Sequence, residues 1–596
     1  MTALPFTSRR SPVYGRRGMV AASQPLAVAA GLEILVAGGN AADAAVATAA
    51  ALNVTEPTST GIGGDCFALY YEAATGQVTA LNGSGRAPAA LTLERLRREG
   101  FGLGAHEVGA HGRAPLQTDH VVPLPPYHPY TITVPGACAG WCDLIARHGR
   151  LSLARILAPA IRLAEEGFPV APITAYHWAR GVERQLAHAP GGLELTIEGR
   201  APRPGEIFRN PGLARTFRAV AEGGKDAFYR GPIAEAIAAT VQAAGGCMTV
   251  EDLAAHQSTW DEPISVTYRG LRIWECPPNG QGLAALLALN ILEGFDLAPL
   301  DPLSAERLHL EIEAMRLAFA DARWYIADPQ FTDLPIHQLL SKDYAADRRR
   351  LINPARATLD QRRGAPVAGS DTVYFCVVDG EGNACSFINS NYMGFGTGIV
   401  PAGWGFTLQN RGHNFSLDPD HPNALAPGKR PYHTIIPGMI TVDGTLVGGR
   451  LVGGNLVRGR LVNDGLVDDS IASQSTNPQS TNLLLGPFGV MGGFMQPQGH
   501  MQVIVALADD GLDPQAALDR PRFCIGDGTA AGRVSLEEGI PAATVTQLAA
   551  LGHPVDVVIG HERALFGRGQ IILRDPATAV LCGGSDPRAD GCAMSL

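Results

Sequence analysis

Hydrophobic and polar positions alternate with two different periods along this chain. Apolar residues recur at three- and four-residue spacing in Pro25 to Val36, Ala41 to Leu52, Leu151 to Glu166 and Ser304 to Ile326. That spacing predicts helices. Pro25 falls in a first turn, where its missing N–H costs little, and Pro159 is expected to kink the third helix. Ser304 to Ile326 (SAERLHLEIEAMRLAFADARWYI) carries the strongest helical pattern. Short β-branched and aromatic runs bounded by glycine turns predict strands. TSTGIGGDCFALYYE is a Gly-rich turn feeding one strand, and QVTALNGSG is the next. TVYFCVVD, the turn GEGN and ACSF (372–387) form a further strand pair. Helical and mixed signals dominate before Thr372, and strands with Gly-Pro turns dominate after it. The class expected is α+β, built in layers.

One stretch has neither period. Residues 444–482 (GTLVGGRLVGGNLVRGRLVNDGLVDDSIASQSTNPQSTN) repeat a short Leu-Val-Gly theme and end in Ser, Asn and Gln. The expectation is a low-complexity surface insertion, with a short hairpin array as the lesser reading.

Composition narrows the function. With 596 residues, 46% hydrophobic, the chain can bury a large core. A net charge of −10 argues against a nucleic-acid surface. No segment has the uncharged apolar length of a membrane span. The ten cysteines sit among apolar neighbours with no CxxC pair, which suggests reduced thiols and a cytoplasmic protein. Arg9-Arg10 ahead of an Ala-rich run has the outline of a twin-arginine export signal. Arg16, Arg17, Gln24 and Glu33 interrupt it, and an amphipathic helix closed by Gly38-Gly39 fits better.

Most chemical motifs are absent. There is no Walker loop, HExxH or GxSxG, and GIGG (61–64) is not followed by Lys. His309 and Glu311 have the start of a zinc-deaminase pattern. They lack a partner CxxC and lie in the strongest helix, so they are read as structural. Thr372 is different in kind. A threonine hydroxyl is a weak nucleophile that needs a base. A cut between Asp371 and Thr372 would place a free α-amino group on the same residue. Such a group titrates at about 7.7–8.0, near the working pH of a general base. A strand-initial Thr is by itself far more often a matter of β-propensity.

The surrounding motifs resemble the γ-glutamyltranspeptidase family. DTVYFCVVDGEGNACSF, GFGTGIV, KRPYHTIIPG, GPFGVMGG, DRPRF and GGSDPRADG follow the order of its small subunit. MVAASQPLAVAAGLEILVAGGNAADAAVA, VPGACAGW, LAPAIRLAEEGFPV, TWDEPISVTYRG, CPPNGQG and EAMRLAFADARWY follow the order of its large one. The resemblance implies a four-layer αββα sandwich of the N-terminal-nucleophile hydrolase type. It implies autocleavage into 1–371 and 372–596, two pieces of one precursor that stay together, and it allows a homodimer of that pair. Thr372 would be nucleophile and, through its freed amino group, base. Gly492 and Gly493 match the oxyanion hole. Ser390 falls where the family has a second threonine beside the nucleophile, and Thr397 reads as structural. No metal, nucleotide or organic cofactor is implied.

The chain also departs from the transpeptidases. Val373 and Tyr374 follow Thr372, where they read Thr-Thr-His. In QNRGHNFS, His413 and Asn414 stand where an acidic pair grips the substrate ammonium. Asn414 cannot pair with an ammonium as a carboxylate does. Arg411 lies just upstream. The α-carboxylate arginine is displaced, with Ser84 and Gly85 near its place and Arg86 two positions on. His433-Thr434 replaces the usual serine pair. Arg86, Arg411, Asn414, His433 and Thr434 are therefore the expected substrate-binding residues. The charge pattern favours a small anionic amide, oxamate-like or glutaryl-like, and resembles the oxamate amidohydrolase and acylase branch. The alternatives are a γ-glutamyltransferase or glutathione hydrolase, and an uncleaved non-catalytic scaffold.

Overall fold

The computed structural model describes residues 10–103, 121–359, 372–447, 450–452 and 481–596. Two large antiparallel sheets make the centre. One runs Cys592–Ser595, Gly18–Ala22, Val373–Asp379, Ala384–Ser390, Asp65–Glu72, Gln77–Gly83, Thr259–Asp261. The other runs Val13–Gly15, Leu581–Ser585, Arg568–Arg574, Thr481–Met491, Gly438–Val447, Leu271–Glu275, Ile264–Tyr268. Val373–Asp379 packs face to face on Thr481–Met491 and Arg568–Arg574. Every residue of Val373–Asp379 and Ala384–Ser390 is buried. A strand covered on both faces has no polar side to alternate with, which is why VYFCVV is continuous.

Helices close both outer faces. Ala41–Thr55 packs on Val373–Asp379 and Ala384–Ser390, while Met495–Ala508 packs on Thr481–Met491. The layers are α, β, β, α, as expected. Ala41–Thr55 is buried along its whole length, so its alanines permit close approach, and Thr48, Asn53 and Thr55 donate to carbonyls one turn back while Asp43 accepts from the Arg150 and Leu151 amides. Asn40 and Asp43 form a capping box at its start, a feature worth about 1 kcal/mol. Leu153–Glu166 begins later than expected because the Ser152 side chain caps it, and Pro159 lies inside it. Ala305–Tyr325 is not amphipathic in its surroundings. Buried Arg307 pairs with Glu311 at 2.7 Å and with Asp510 at 3.1 Å. Breaking such a set by removing one partner costs about 3–5 kcal/mol.

Gly18–Ala22 and Pro25–Val36, the run with the outline of an export signal, belong to the first sheet and the core. All ten cysteines are free, and all but Cys592 are buried. No helix among the described residues is long and apolar enough to cross a membrane. The described ends of the 444–482 stretch are strand: Gly444 pairs with Thr481, and Thr445 with Val452. The rest of that stretch, and Asp371, lie outside the described residues.

Candidate active site

Hairpin register brings the first pair of site residues together. Val373 is opposite Asn389, so Thr372 meets Ser390, and their hydroxyl oxygens are 3.2 Å apart. Both residues are fully buried. Ser390 Oγ also accepts from the Tyr392 amide at 2.9 Å and from Arg411 at 2.9 Å. Tyr392 has φ +80°, an uncommon conformation for a bulky residue and a mark of local strain. It turns the chain at the strand end and lays its ring under Arg411, 4.3 Å from the guanidinium carbon.

Arg411 brings a charge into the Thr372–Ser390 hydrogen-bond network. It donates to Thr434 Oγ1 at 2.6 Å as well as to Ser390. Its Nε is buried and has no acceptor among the described residues. Burial pushes its pKa down to about 10, so it stays charged at neutral pH. Asn414 accepts from the Tyr392 hydroxyl at 2.5 Å and donates to the Tyr432 carbonyl at 3.0 Å. Its contacts are thus internal, and they hold the ring on which Arg411 rests.

His433 is engaged by Asp65, which the sequence reading did not single out. His433 Nε2 donates to Asp65 Oδ2 at 3.0 Å. Asp65 Oδ1 accepts from the Gly85 and Gly136 amides and from Gln409. Burial raises the Asp65 carboxyl to about 6, with Arg411 opposing the rise. Burial and two nearby arginines hold His433 neutral. A signal for Asp65 exists in the sequence: a carboxylate heading the apolar strand DCFALYY must be partnered.

Gly492 and Gly493 follow the end of Thr481–Met491 and precede Met495–Ala508. Their φ values are +124° and +60°, which glycine adopts without penalty. A Cβ on Gly492 would lie 3.2 Å from Gly567 Cα. Neither amide N–H has an acceptor among the described residues. Gln281 of CPPNGQG donates to the carbonyls of Thr434 and Gly493 at 2.5 and 2.7 Å, tying the two segments together. Gln496 bridges again: its Oε1 accepts from the Ile436 amide at 2.9 Å, and its Nε2 lies 3.4 Å from Thr372 Oγ1. Gln281 and Gln496 were also missed.

One expected site residue lies elsewhere. Arg86 pairs with Asp328 at 3.3 Å and donates to the Gly428 carbonyl; none of its contacts is to the Thr372 network. Thr397 donates to the Leu408 carbonyl at 2.9 Å, a structural bond. Among the described residues, one group has metal-ligand chemistry: His309, Glu313 and His553, with donor atoms within 4.8 Å of one another. The two histidines hydrogen-bond at 2.8 Å, and His309 also bonds the Asn353 carbonyl. Glu311 is paired with Arg307 instead.

The family model for Gamma-glutamyltranspeptidase matches residues 27–455 and 479–596. A glutathione hydrolase-like proenzyme of Bacillus subtilis is 35% identical over 98% of this chain and 99% of its own length. An oxamate amidohydrolase proenzyme of Klebsiella pneumoniae is 35% identical over 97% of this chain and 98% of its own. A solved cephalosporin acylase from Bacillus halodurans superposes with a TM-score of 0.84 at 45% identity, covering 100% of this chain and 99% of that one. With buried Thr372, Ser390 and paired glycines in the order the motifs implied, the chain belongs to the γ-glutamyltranspeptidase family and is an amide-hydrolysing enzyme of the N-terminal-nucleophile type.

Proposed function

We propose that this protein is an autoprocessing threonine amidohydrolase that cuts itself between Asp371 and Thr372 and then hydrolyses a small anionic amide, oxamate-like or glutaryl-like. The observation that carries the substrate class is Arg411: a buried cation, hydrogen-bonded to Ser390 beside Thr372, with a spare Nε. A substrate carboxylate supplies the charge-assisted acceptor this guanidinium lacks.

In the precursor, Thr372 Oγ attacks the Asp371 carbonyl, the peptide C–N bond breaks, and the chain continues briefly as an ester. The departing nitrogen takes the hydroxyl proton and becomes the free Thr372 amino group; water then cleaves the ester, leaving the Asp371 carboxyl and restoring the Thr372 hydroxyl. In the mature enzyme the amino group takes the hydroxyl proton as Oγ bonds to the substrate carbonyl carbon. The oxyanion is held by the N–H groups of Gly492 and Gly493. The C–N bond then breaks, and the amine leaves with the proton the amino group held. Water, deprotonated by the same group, releases the acid and restores Thr372. Ser390 orients the hydroxyl; Arg411 and Thr434 hold the acyl group; Asn414 and His433 keep that pair in place.

The glutathione hydrolase reading has support from the Bacillus subtilis relative. Against it, Asn414 stands where an ammonium-gripping carboxylate is needed. Denaturing electrophoresis with N-terminal sequencing, beside Thr372→Ala, tests the first step: two pieces, the smaller beginning TVYFCVV, with the variant uncut. Rates on oxamate, glutaryl-p-nitroanilide and γ-glutamyl-p-nitroanilide test the second. Turnover of the γ-glutamyl compound well above the other two would reverse the substrate assignment.

A further inference from the structure

His309, Glu313 and His553 take no part in the Thr372 network, and their surroundings have the marks of a metal centre. His309 and Glu313 stand one turn apart on Ala305–Tyr325, so both project from one face. His553 comes from the end of the helix Ala542–Ala550. There Gly552 turns at φ +96°, and the His553 amide bonds back to the Leu548 carbonyl at 3.1 Å. That closes the helix and fixes where the ring emerges. Residues 353–358 bond to both helices, with Ala357 donating to the Leu551 carbonyl at 2.7 Å. All three candidate ligand residues are at most 3% exposed.

Two of the three are oriented from behind. The Asn353 carbonyl can only accept, so His309 carries its proton on Nε2, 2.8 Å from that oxygen, and turns the Nδ1 lone pair toward His553. Glu313 has Oε2 held by the Thr358 amide at 3.1 Å, and its Oε1 is buried with no hydrogen-bond partner among the described residues. His553 Nδ1 is likewise buried and unpartnered among them. A carbonyl behind an imidazole and an amide behind a carboxylate are the outer contacts that orient metal ligands. Burial lowers the pKa of both imidazoles, that of His553 to about 3, so each offers a lone pair at neutral pH. One group opposes a cation: Arg316 Nε lies 3.6 Å from Glu313 Oε1. Arg316 Nε and Nη2 are buried with no acceptor among the described residues. An anion on the metal would satisfy the guanidinium that a bare cation repels.

We propose that His309 Nδ1, Glu313 Oε1 and His553 Nε2 bind one zinc-class divalent cation, with a solvent anion beside Arg316 as fourth ligand. That anion is chloride, or hydroxide once a water has given its proton to bulk. Two imidazoles and a carboxylate, without thiolate, suit zinc, which takes such ligands at about 2.0–2.2 Å in a tetrahedron. Neighbouring ligands then stand about 3.4 Å apart. The His309–His553 pair, hydrogen-bonded at 2.8 Å, opens by about half an ångström to admit the metal. The proton on His553 Nε2 passes to Nδ1 as the ring changes tautomer. Two ligands precede Thr372 and one follows it, so the metal ties together the parts of the chain on either side of the proposed cut. The site is structural, and it stands whether or not the chain cuts itself.

The test is zinc titration of the full-length protein, stripped with EDTA and dialysed into chloride buffer, in competition with a chromophoric chelator. One equivalent per chain should bind. The thermal midpoint should rise by about 2 °C at a hundredfold excess of zinc over Kd. Co²⁺ in place of zinc should give the intense visible absorption of a tetrahedral centre. Glu313→Gln and His553→Gln should each weaken binding by more than the roughly 10- to 100-fold that losing an outer contact costs, and their midpoints should not respond to zinc. His561→Gln, which changes an exposed histidine outside the site, should behave as wild type. Binding that survives both ligand variants, or a weak octahedral Co²⁺ spectrum, would mean adventitious surface binding and overturn the proposal. So would the absence of binding. Should a ligand variant fail to fold, the wild-type stoichiometry and Co²⁺ spectrum decide.

Discussion

Asp65 ties together His433, Gly85, Gly136 and Gln409, and its titration can be isolated. Folding raises its pKa from 3.8 to about 6 through burial. A raised carboxyl binds a proton more tightly folded than unfolded. Its contribution is therefore fully present below pH 4 and is lost as pH rises through about 6. In Asp65→Asn that dependence is absent. Burial and neighbouring arginines hold the His433 pKa well below 6.5. The unfolding free energy of wild type, relative to Asp65→Asn, should thus fall by about 2 kcal/mol between pH 4 and pH 7. Parallel curves for the two proteins would show that Asp65 is not perturbed. Thr372, Ser390, Arg411 and the glycine pair could be read from local motifs, because each sits in a short distinctive stretch. Asp65, Gln281 and Gln496 could not be paired in advance: their partners lie far along the chain, and no periodicity announces such contacts. Arg86 shows the converse, since a charge near the right motif turned out to have its own partner in Asp328.

Among the elements, the junction between Thr481–Met491 and Met495–Ala508 carries the sharpest demand. The strand is buried between sheets, and the helix packs back on it, so the turn is confined to very few residues. Gly492 at φ +124° serves that turn and leaves its N–H unspent. An alanine there would be strained and would press on Gly567 and Met495. Alanine keeps the N–H but must shift it, so Gly492→Ala should lower kcat by up to about 10²- to 10³-fold, the size of losing one oxyanion donor, with KM little changed. Backbone strain of about 1–3 kcal/mol should also lower the thermal midpoint. A variant with full kcat would remove Gly492 from the chemistry. Element types were legible here where length and capping agreed, as at Ser304 and Asn40. The environment of Ala305–Tyr325 was not, because its buried arginines and glutamates mimic a polar face.

The two pieces expected from cleavage are interleaved, which fixes how the whole molecule should behave. Val373–Asp379 lies between Gly18–Ala22 and Ala384–Ser390, and Ala384–Ser390 pairs in turn with Asp65–Glu72. In the other sheet, Leu271–Glu275 pairs with Gly438–Val447, and Val13–Gly15 with Leu581–Ser585. Neither piece can complete a sheet or bury its core alone, and unpaired strand edges favour aggregation. The mature pieces should co-elute on gel filtration as one unit of 62.6 kDa, or as its dimer, and separate only under denaturing conditions. Residues 1–371 expressed alone should lack a cooperative unfolding transition, while co-expression with 372–596 should restore solubility and cooperativity. Separation of the pieces in native buffer, or a native-like transition for 1–371 alone, would mean that the sheets are not shared as described. Such sharing would let the proposed cut free an amino group on Thr372 without loosening the fold: the strand that follows it, Val373–Asp379, is clamped on both edges by Gly18–Ala22 and Ala384–Ser390.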